Sequence, residues 1–328
     1  MGRQRHKVHS RNRRGDAIKI CIVGPGAIGR LFASLFSKSG ADVVLADHRP
    51  ERAESLTRNG LILRGLQEIK TQVPVTMAPS DFAPFDLVFI CVKSYSTKEV
   101  AKQIVSWASN STLVTLQNGM GNIEALLEYF PPEQIIGGVT GCGANIPPDS
   151  PETVIFAGCG ETVIGQVGTK SLNGRNKELE RVESLFRKAG LPVRKTENLQ
   201  SELWGKLLIN AAINPLCALL RIRNGFLPKI PSLWELARLV LKEAISVANA
   251  EGVVLPYPDA AEKVKAVCEA TAQNRCSTLQ DVEKGKRTEI DSINGYICRI
   301  GEKHGIPTPY NLTLNLLLGS QTANAPGY

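Results

Sequence analysis

Between Ile18 and Lys195 the chain alternates apolar runs of strand length with segments of helical spacing. Ile18 to Val23 is apolar or β-branched apart from Lys19, and Asp42 to Asp47, Asp86 to Val92 (DLVFICV), Thr112 to Leu116 and Leu191 to Lys195 repeat the pattern. Such runs read as strands covered on both faces. The spacing predicts helices over Ala27–Ser39, Pro50–Asn59, Thr97–Ala108, from the Gln117–Gly121 turn to Tyr129, and over Arg175–Ala189. Pro50 suits a first helical turn, and Gly40 and Gly60 suit helix ends. Leu61 to Val75 alternates loosely around Gly65, as a hairpin or crossover strands would. Ile135–Ala144 and Thr153–Val167 read as glycine-rich strands, near a ligand or tightly turned. Strands alternating with helices predict an α/β domain with a doubly wound parallel sheet.

Past Thr196 the pattern is helical: Ser201–Leu220, Ser232–Ala250, Asp259–Ala272, Thr288–His304 and Leu312–Leu318, with breaks at prolines such as Pro228, Pro256 and Pro307. The expected organisation is a tail over 1–17, a nucleotide domain over 18–196 and a helical domain over 197–328. A substrate would be held in the cleft between the two domains.

The first strand leads into Gly24-Pro25-Gly26-Ala27-Ile28-Gly29, a G-x-G-x-x-G at a strand-to-helix corner. In this β-α-β context the motif is a dinucleotide fingerprint. Gly24 permits the tight turn, Gly26 lets backbone approach a pyrophosphate, and Gly29 lets the helix pack close to the strand. The helix N-terminus offers free N–H groups to the phosphates. Asp47 ends the second strand 18 residues after Gly29, close to where NAD enzymes hold the ribose 2′-hydroxyl.

Length and composition fit this picture: 328 residues with 43% hydrophobic content bury a full core. The formal charge of +8 is uneven, because the apolar-poor residues 1–17 carry +5 of it and are expected to be disordered. The remaining +3 is unremarkable for a protein that binds a phosphate-rich cofactor, and no aromatic-basic interleaving beyond residue 17 suggests nucleic acid. The eight cysteines lack C-x-x-C spacing and the four histidines do not cluster with them, so we expect reduced thiols and no metal site. With no secretory core and no uninterrupted apolar run near 20 residues, a cytoplasmic protein without a membrane span is expected.

Three stretches place polar groups among apolar ones. Lys206, Asn210 and Asn214 recur at i, i+4 and i+8, on one face of one helix. A lysine beside Trp204 and Leu207 would be partly desolvated, which lowers its pKa and makes it a usable proton donor; a lysine snorkelling above two capping amides fits the spacing equally well. Asn274 to Asp281 leads into a helix with Ser277 as a candidate N-cap. Glu289 falls in the first turn of a helix whose apolar face is Ile290, Ile293, Ile297 and Ile300, where an acid also complements the helix dipole.

In order along the chain come GPGAIG, Lys93 after the third strand, QNGMGN at Asn118, KLLINAAINP at Lys206, NRCSTLQD at Asn274 and TEIDSINGY at Glu289. As an ordered set these resemble the 2-dehydropantoate 2-reductase (ketopantoate reductase) family over about residues 18–320. The resemblance implies a Rossmann domain joined to a helical domain like that of 6-phosphogluconate dehydrogenases. It implies reduction of 2-dehydropantoate to (R)-pantoate with NADPH, on the route to pantothenate and coenzyme A. Lys206 would be the general acid, with Glu289 accepting hydrogen bonds from the substrate hydroxyl or from Lys206. Asn210, Asn214, Asn274 and Ser277 would bind the substrate, and Asn118 and Lys93 would lie where cofactor meets substrate. Arg49 would meet the cofactor's 2′-phosphate, whereas Asp47 leaves NADH open. Reduction of another 2-oxo acid on the same scaffold, or a non-catalytic dinucleotide-binding regulator, would be the alternatives. A homodimer is a reasonable expectation for the helical domain.

Overall fold

A computed structural model describes residues 17–168 and 176–323. The expectations for residues 1–16 and for Arg175 lie outside the described residues. In chain order the elements are β1 (Lys19–Val23), α1 (Ala27–Lys38), β2 (Asp42–Ala46), α2 (Pro50–Asn59), β3 (Leu61–Gly65), β4 (Ile69–Thr71), β5 (Val75–Thr76), β6 (Leu87–Ile90), α3 (Thr97–Ala108), β7 (Thr112–Thr115), α4 (Asn122–Leu127), β8 (Ile135–Asn145), β9 (Thr153–Gln166), α5 (Lys177–Lys188) and β10 (Val193–Lys195). Then follow α6 (Leu199–Leu220), α7 (Pro231–Ala250), α8 (Ala260–Ala270), α9 (Ser277–Glu283), α10 (Asn294–Lys303) and α11 (Pro309–Ala323).

The strands form one sheet in the order β4-β3-β9-β8-β7-β6-β1-β2-β5, with β10 beside β9. From β5 across to β8 every pairing is parallel, with β1 flanked by β2 and β6. The sheet then continues through the antiparallel β8–β9 hairpin, and β3 pairs antiparallel with β4. Alternate residues explain why the central strands carry apolar side chains on both faces. Ile20, Ile22, Val43 and Leu45 join Phe32, Phe36, Phe89 and Phe186 on one face. Cys21, Val44 and Ala46 join Ala101, Ile104 and Phe130 on the other. On the first face Phe32 lies 5.4 Å from both Phe36 and Phe186, and each such fully buried ring contributes roughly 1.5–3 kcal/mol.

The helical part is built around α6, which is apolar around most of its circumference and is therefore central. By composition it is apolar and long enough to pass for a membrane span, but 72% of its most apolar window is buried within the protein. Trp204, Leu207, Leu208, Ala211, Ala212 and Leu216 of α6 pack with Val240 and Ala244 of α7, Val264 of α8, Leu279 of α9 and Leu318 of α11. Pro215 inside α6 has no N–H, which frees the Ala211 carbonyl four residues earlier. The buried Asn294 fills that gap: its Nδ2 donates to the Ala211 oxygen at 3.2 Å and to Asn311 Oδ1 at 2.9 Å. Asn311 in turn donates to the Val240 carbonyl and to Glu243.

Two local expectations need correcting. Glu289 is not in a helical first turn: it precedes a 3-10 turn over Ile290–Ser292, and α10 starts only at Asn294. The break falls at Ile293, whose backbone (φ −107°, ψ −93°) is far from helical. The N-cap of α9 is Cys276, whose Sγ accepts from the Leu279 N–H at 3.4 Å, and Ser277 is the first helical residue.

Candidate active site

The glycine loop separates into two kinds of glycine. Gly24 has φ +106°, and a Cβ there would lie 2.7–2.8 Å from the Cys91 and Val92 backbone. A Cβ on Gly29 would lie 2.1 Å from the Gly24 oxygen. Both are therefore required by the fold itself. Gly26 is different, because its φ of −73° suits any residue and its Cβ would meet nothing within 4 Å. What Gly26 leaves open is the approach to the N-terminus of α1, which has no side-chain cap and no acid in its first turn. These unpaired amides fit a diphosphate. The chain's own residues thus suit a dinucleotide at Gly24, Pro25, Gly26, Ala27, Ile28 and Gly29.

At the end of β2, Asp47 is buried and fully engaged. Arg52 holds it through Nε at 2.5 Å and Nη2 at 2.6 Å, and the Arg49 N–H adds 3.1 Å. Burial alone would raise its carboxyl, but the Arg52 and Arg49 hydrogen bonds bring it below the usual carboxylate range. Arg49 itself is exposed at the N-cap of α2. The acid is thus tied up and the neighbouring cation is free for solvent or ligand.

The two parts of the molecule meet through Lys93, which follows β6 and so continues the strand that the glycine loop packs against. Its Nζ donates to Asp281 Oδ2 at 2.6 Å and to Glu289 Oε2 at 3.2 Å. Burial would lower the Lys93 ammonium, but the two carboxylates hold it above its ordinary value, while Asp281 is raised by its own burial. The Ser94 N–H donates to Glu289 Oε1 at 2.8 Å, and Ser292 Oγ bonds Ser94 Oγ at 2.6 Å. The loop carrying Asn118 is drawn to the same place: Met120 N donates to the Ser292 oxygen at 2.8 Å. Gly119 has no room for a Cβ, which would lie 2.6 Å from that of Ser292.

Lys206 lies on α6 between the buried Trp204 and Leu207 in sequence and is itself half-buried. Its Nζ donates to the Thr140 carbonyl on β8 at 2.9 Å, so the helical part presses this lysine against the sheet. Burial lowers its pKa to about 8, with the nearby Glu289 pulling the other way. One turn on, the Nδ2 of half-buried Asn210 is itself buried and has no hydrogen-bond partner among the described residues. Such an amide is costly unless it meets an acceptor, such as a substrate carboxylate or hydroxyl. Asn214 is buried, and its backbone oxygen accepts from the Cys276 thiol at 3.5 Å, which sets half-buried Ser277 beside α6. Asn274 is exposed and touches Asn224 only through backbone.

Lys93, Glu289, Lys206 and the Asn118 loop are therefore gathered at one junction. Glu289 is hydrogen-bonded to Lys93 and Ser94, and Lys206 to Thr140. Two partners were missed from sequence. Asp281 closes the NRCSTLQD motif, but its position in a short amphipathic turn carries no mark of a cross-cleft ion pair. The Thr140 carbonyl has no side-chain signal at all.

Known proteins resemble this chain across both parts. The family model described as ketopantoate reductase PanE/ApbA matches residues 20–169, and that described as its C terminal matches 198–320. A 2-dehydropantoate 2-reductase from Archaeoglobus fulgidus is 38% identical over 306 residues, 93% of this chain and 98% of that one. A PanE/ApbA family ketopantoate reductase structure from Ralstonia eutropha JMP134 is 31% identical with a TM-score of 0.84, covering 94% and 99% of the two chains. A D-mandelate dehydrogenase bound to NADH and anilino(oxo)acetate is 25% identical with a TM-score of 0.84, covering 94% and 99%.

Proposed function

Since the chain belongs to the ketopantoate reductase family, we propose that it reduces 2-dehydropantoate to (R)-pantoate with NADPH, Lys206 delivering the proton. It is an oxidoreductase acting on CH–OH groups. The glycine loop from Gly24 to Gly29 would hold NADPH, which would supply a hydride for the ketone carbon. Lys206 polarises the carbonyl and transfers a proton from Nζ to the oxygen as negative charge grows there. The single observation that carries this reading is the desolvated Lys206 ammonium, held by the Thr140 carbonyl beside Glu289. A pKa near 8 keeps the group mostly protonated at neutral pH and still able to give up its proton.

Glu289, fixed by Lys93 and Ser94, accepts the substrate hydroxyl and favours the charged form of Lys206. Asn210 offers its unpaired N–H to the substrate, with Asn214, Ser277 and Asn274 as further candidate contacts. Hydrogen-bonding groups of this kind reject analogues that lack the matching polar atom. Lys93 and Asn118 sit where nicotinamide and substrate would meet.

NADPH is favoured over NADH because Asp47 is spent on Arg52, leaving Arg49 exposed for a 2′-phosphate. Reduction of a different 2-oxo acid is the second reading, favoured by the similarity to a mandelate dehydrogenase. Initial rates with 2-dehydropantoate and a panel of aryl and branched 2-oxo acids, each with NADPH and NADH, test both. The proposal expects the highest kcat/KM with 2-dehydropantoate and NADPH. A higher value for an aryl 2-oxo acid would replace the substrate, and an NADH preference would replace the cofactor.

A further inference from the structure

The glycine-rich hairpin carries a feature that the reduction does not use. Gly141-Cys142-Gly143 on β8 runs antiparallel to Gly158-Cys159-Gly160 on β9, and Cys142 and Cys159 are direct cross-strand partners. The backbones run close here, since a Cβ on Gly141 would lie 2.8 Å from the Gly160 Cα. Register irregularities bracket the pair, between Thr140 and Cys142 and between Gly143 and Ala144. Cys142 is buried, Cys159 is exposed, and both are free thiols. Opposed residues in such a ladder hold their Cβ atoms about 4.5–5.5 Å apart, whereas a disulfide needs about 3.5–4.5 Å. The shortfall is an ångström or less, and glycines on either side of each cysteine let the backbone supply it.

We propose that Cys142 and Cys159 form a thiol–disulfide modification site that acts on Lys206 through β8. The Cys159 thiolate attacks one sulfur of a low-molecular-weight disulfide RSSR, forms Cys159–S–S–R and expels RS⁻. The Cys142 thiolate then attacks the Cys159 sulfur, forms the Cys142–Cys159 bond and expels the second RS⁻. The two thiol protons end on two RSH, so one RSSR is reduced while the pair is oxidised. Burial raises both thiols above their ordinary value, and the Cys142 hydrogen bond only partly offsets this at Cys159. Capture is therefore slow at neutral pH.

The consequence for catalysis follows from the neighbouring rung. Lys206 rests on the Thr140 carbonyl, and the Cys142 N–H bonds Thr140 Oγ1 at 3.2 Å. Drawing Cys142 toward β9 moves that support. Misplacing a positioning group by about 1 Å costs up to about a hundredfold in rate, so about a tenfold fall in kcat is expected. This last link rests on Lys206 being the acid; formation of the bridge does not.

The full-length protein is incubated with glutathione disulfide at pH 8.5, alkylated, and analysed by intact mass and peptide mapping, with NADPH-dependent reduction assayed in parallel. The expected result is loss of two hydrogens, a Cys142–Cys159 cross-linked peptide, and a kcat that falls about tenfold and returns with dithiothreitol. Cys159→Ser should keep its rate under the same treatment. Unchanged thiols, or a glutathione adduct on Cys159 that Cys142 never resolves, would overturn the site. A bridge that leaves kcat unchanged would overturn its link to Lys206. Should untreated Lys206→Ala prove fully active, the functional reading fails while the mass result stands.

Discussion

Replacing Lys93 by methionine removes the ammonium that hydrogen-bonds both Asp281 and Glu289 and leaves two buried, mutually repelling carboxylates. Breaking a buried ion pair by deleting one partner costs about 3–5 kcal/mol. The Lys93 side chain is 36% exposed, however, while Asp281 and Glu289 are 12% and 7%. Solvent screening of the lysine reduces the figure to about 2 kcal/mol at neutral pH. The loss should depend on pH in a definite direction. Asp281 already has a raised folded-state pKa, so as pH rises through its unfolded value the unfolded chain gives up its proton first and the folded state loses ground. Without Lys93 this penalty grows, and it disappears once Asp281 is protonated in both states. Urea denaturation of the wild type and Lys93→Met at pH 7 and pH 4.5 reads the effect directly. The gap should be about 2 kcal/mol at pH 7 and should shrink markedly at pH 4.5. Equal stabilities at pH 7, or a gap that widens on acidification, would refute the reasoning.

Other consequences are separable. Reduction by a general acid with a pKa near 8 should be flat below neutrality and fall as pH rises through about 8 in a kcat profile, because Lys206 must carry its proton; a rate rising with pH would contradict the assignment. Gly26→Ala should fold normally yet bind NADPH about tenfold or more weakly, a loss of roughly 1.4 kcal/mol or more, as read by protein fluorescence. Gly29→Ala, whose Cβ would lie 2.1 Å from the Gly24 oxygen, should instead lose about 1–3 kcal/mol of stability, as read by thermal denaturation. Asn294→Ala, which unpairs the Ala211 carbonyl beneath Pro215, should cost about 2–3 kcal/mol in urea denaturation; no change would mean that the proline-freed carbonyl finds another partner.

The central sheet was legible because burial on both faces makes β6 apolar at every position, and β1 and β2 apolar past their opening Lys19 and Asp42, a pattern that only a covered strand tolerates. The glycine loop was legible for the same local reason, since its requirement lies within a few residues. Pairing was not: β8 and β9 read as glycine-rich strands, but nothing in either one alone states that they run antiparallel. Lys206, Asn210 and Asn214 stood out because polar residues interrupt an apolar helix at one-turn spacing. What decides their chemistry lies elsewhere in the chain, at Thr140, 66 residues from Lys206. Asp281 and Glu289 reach Lys93 across 188 and 196 residues, so each reads locally as an ordinary helix-flanking acid. Ile293 breaks the predicted Thr288–His304 helix although isoleucine is no helix breaker. The turn there is set by the packing that puts Ser292 against Met120 and Asn294 beneath Pro215.

The most direct test of the account is a single-turnover measurement of NADPH oxidation by Lys206→Ala with 2-dehydropantoate, at concentrations that saturate both. The account predicts that the hydride-transfer rate falls by about a thousandfold, within the range contributed by a positioned acid, while NADPH still binds to the glycine loop. A rate within a fewfold of the wild type would show that the proton comes from another group.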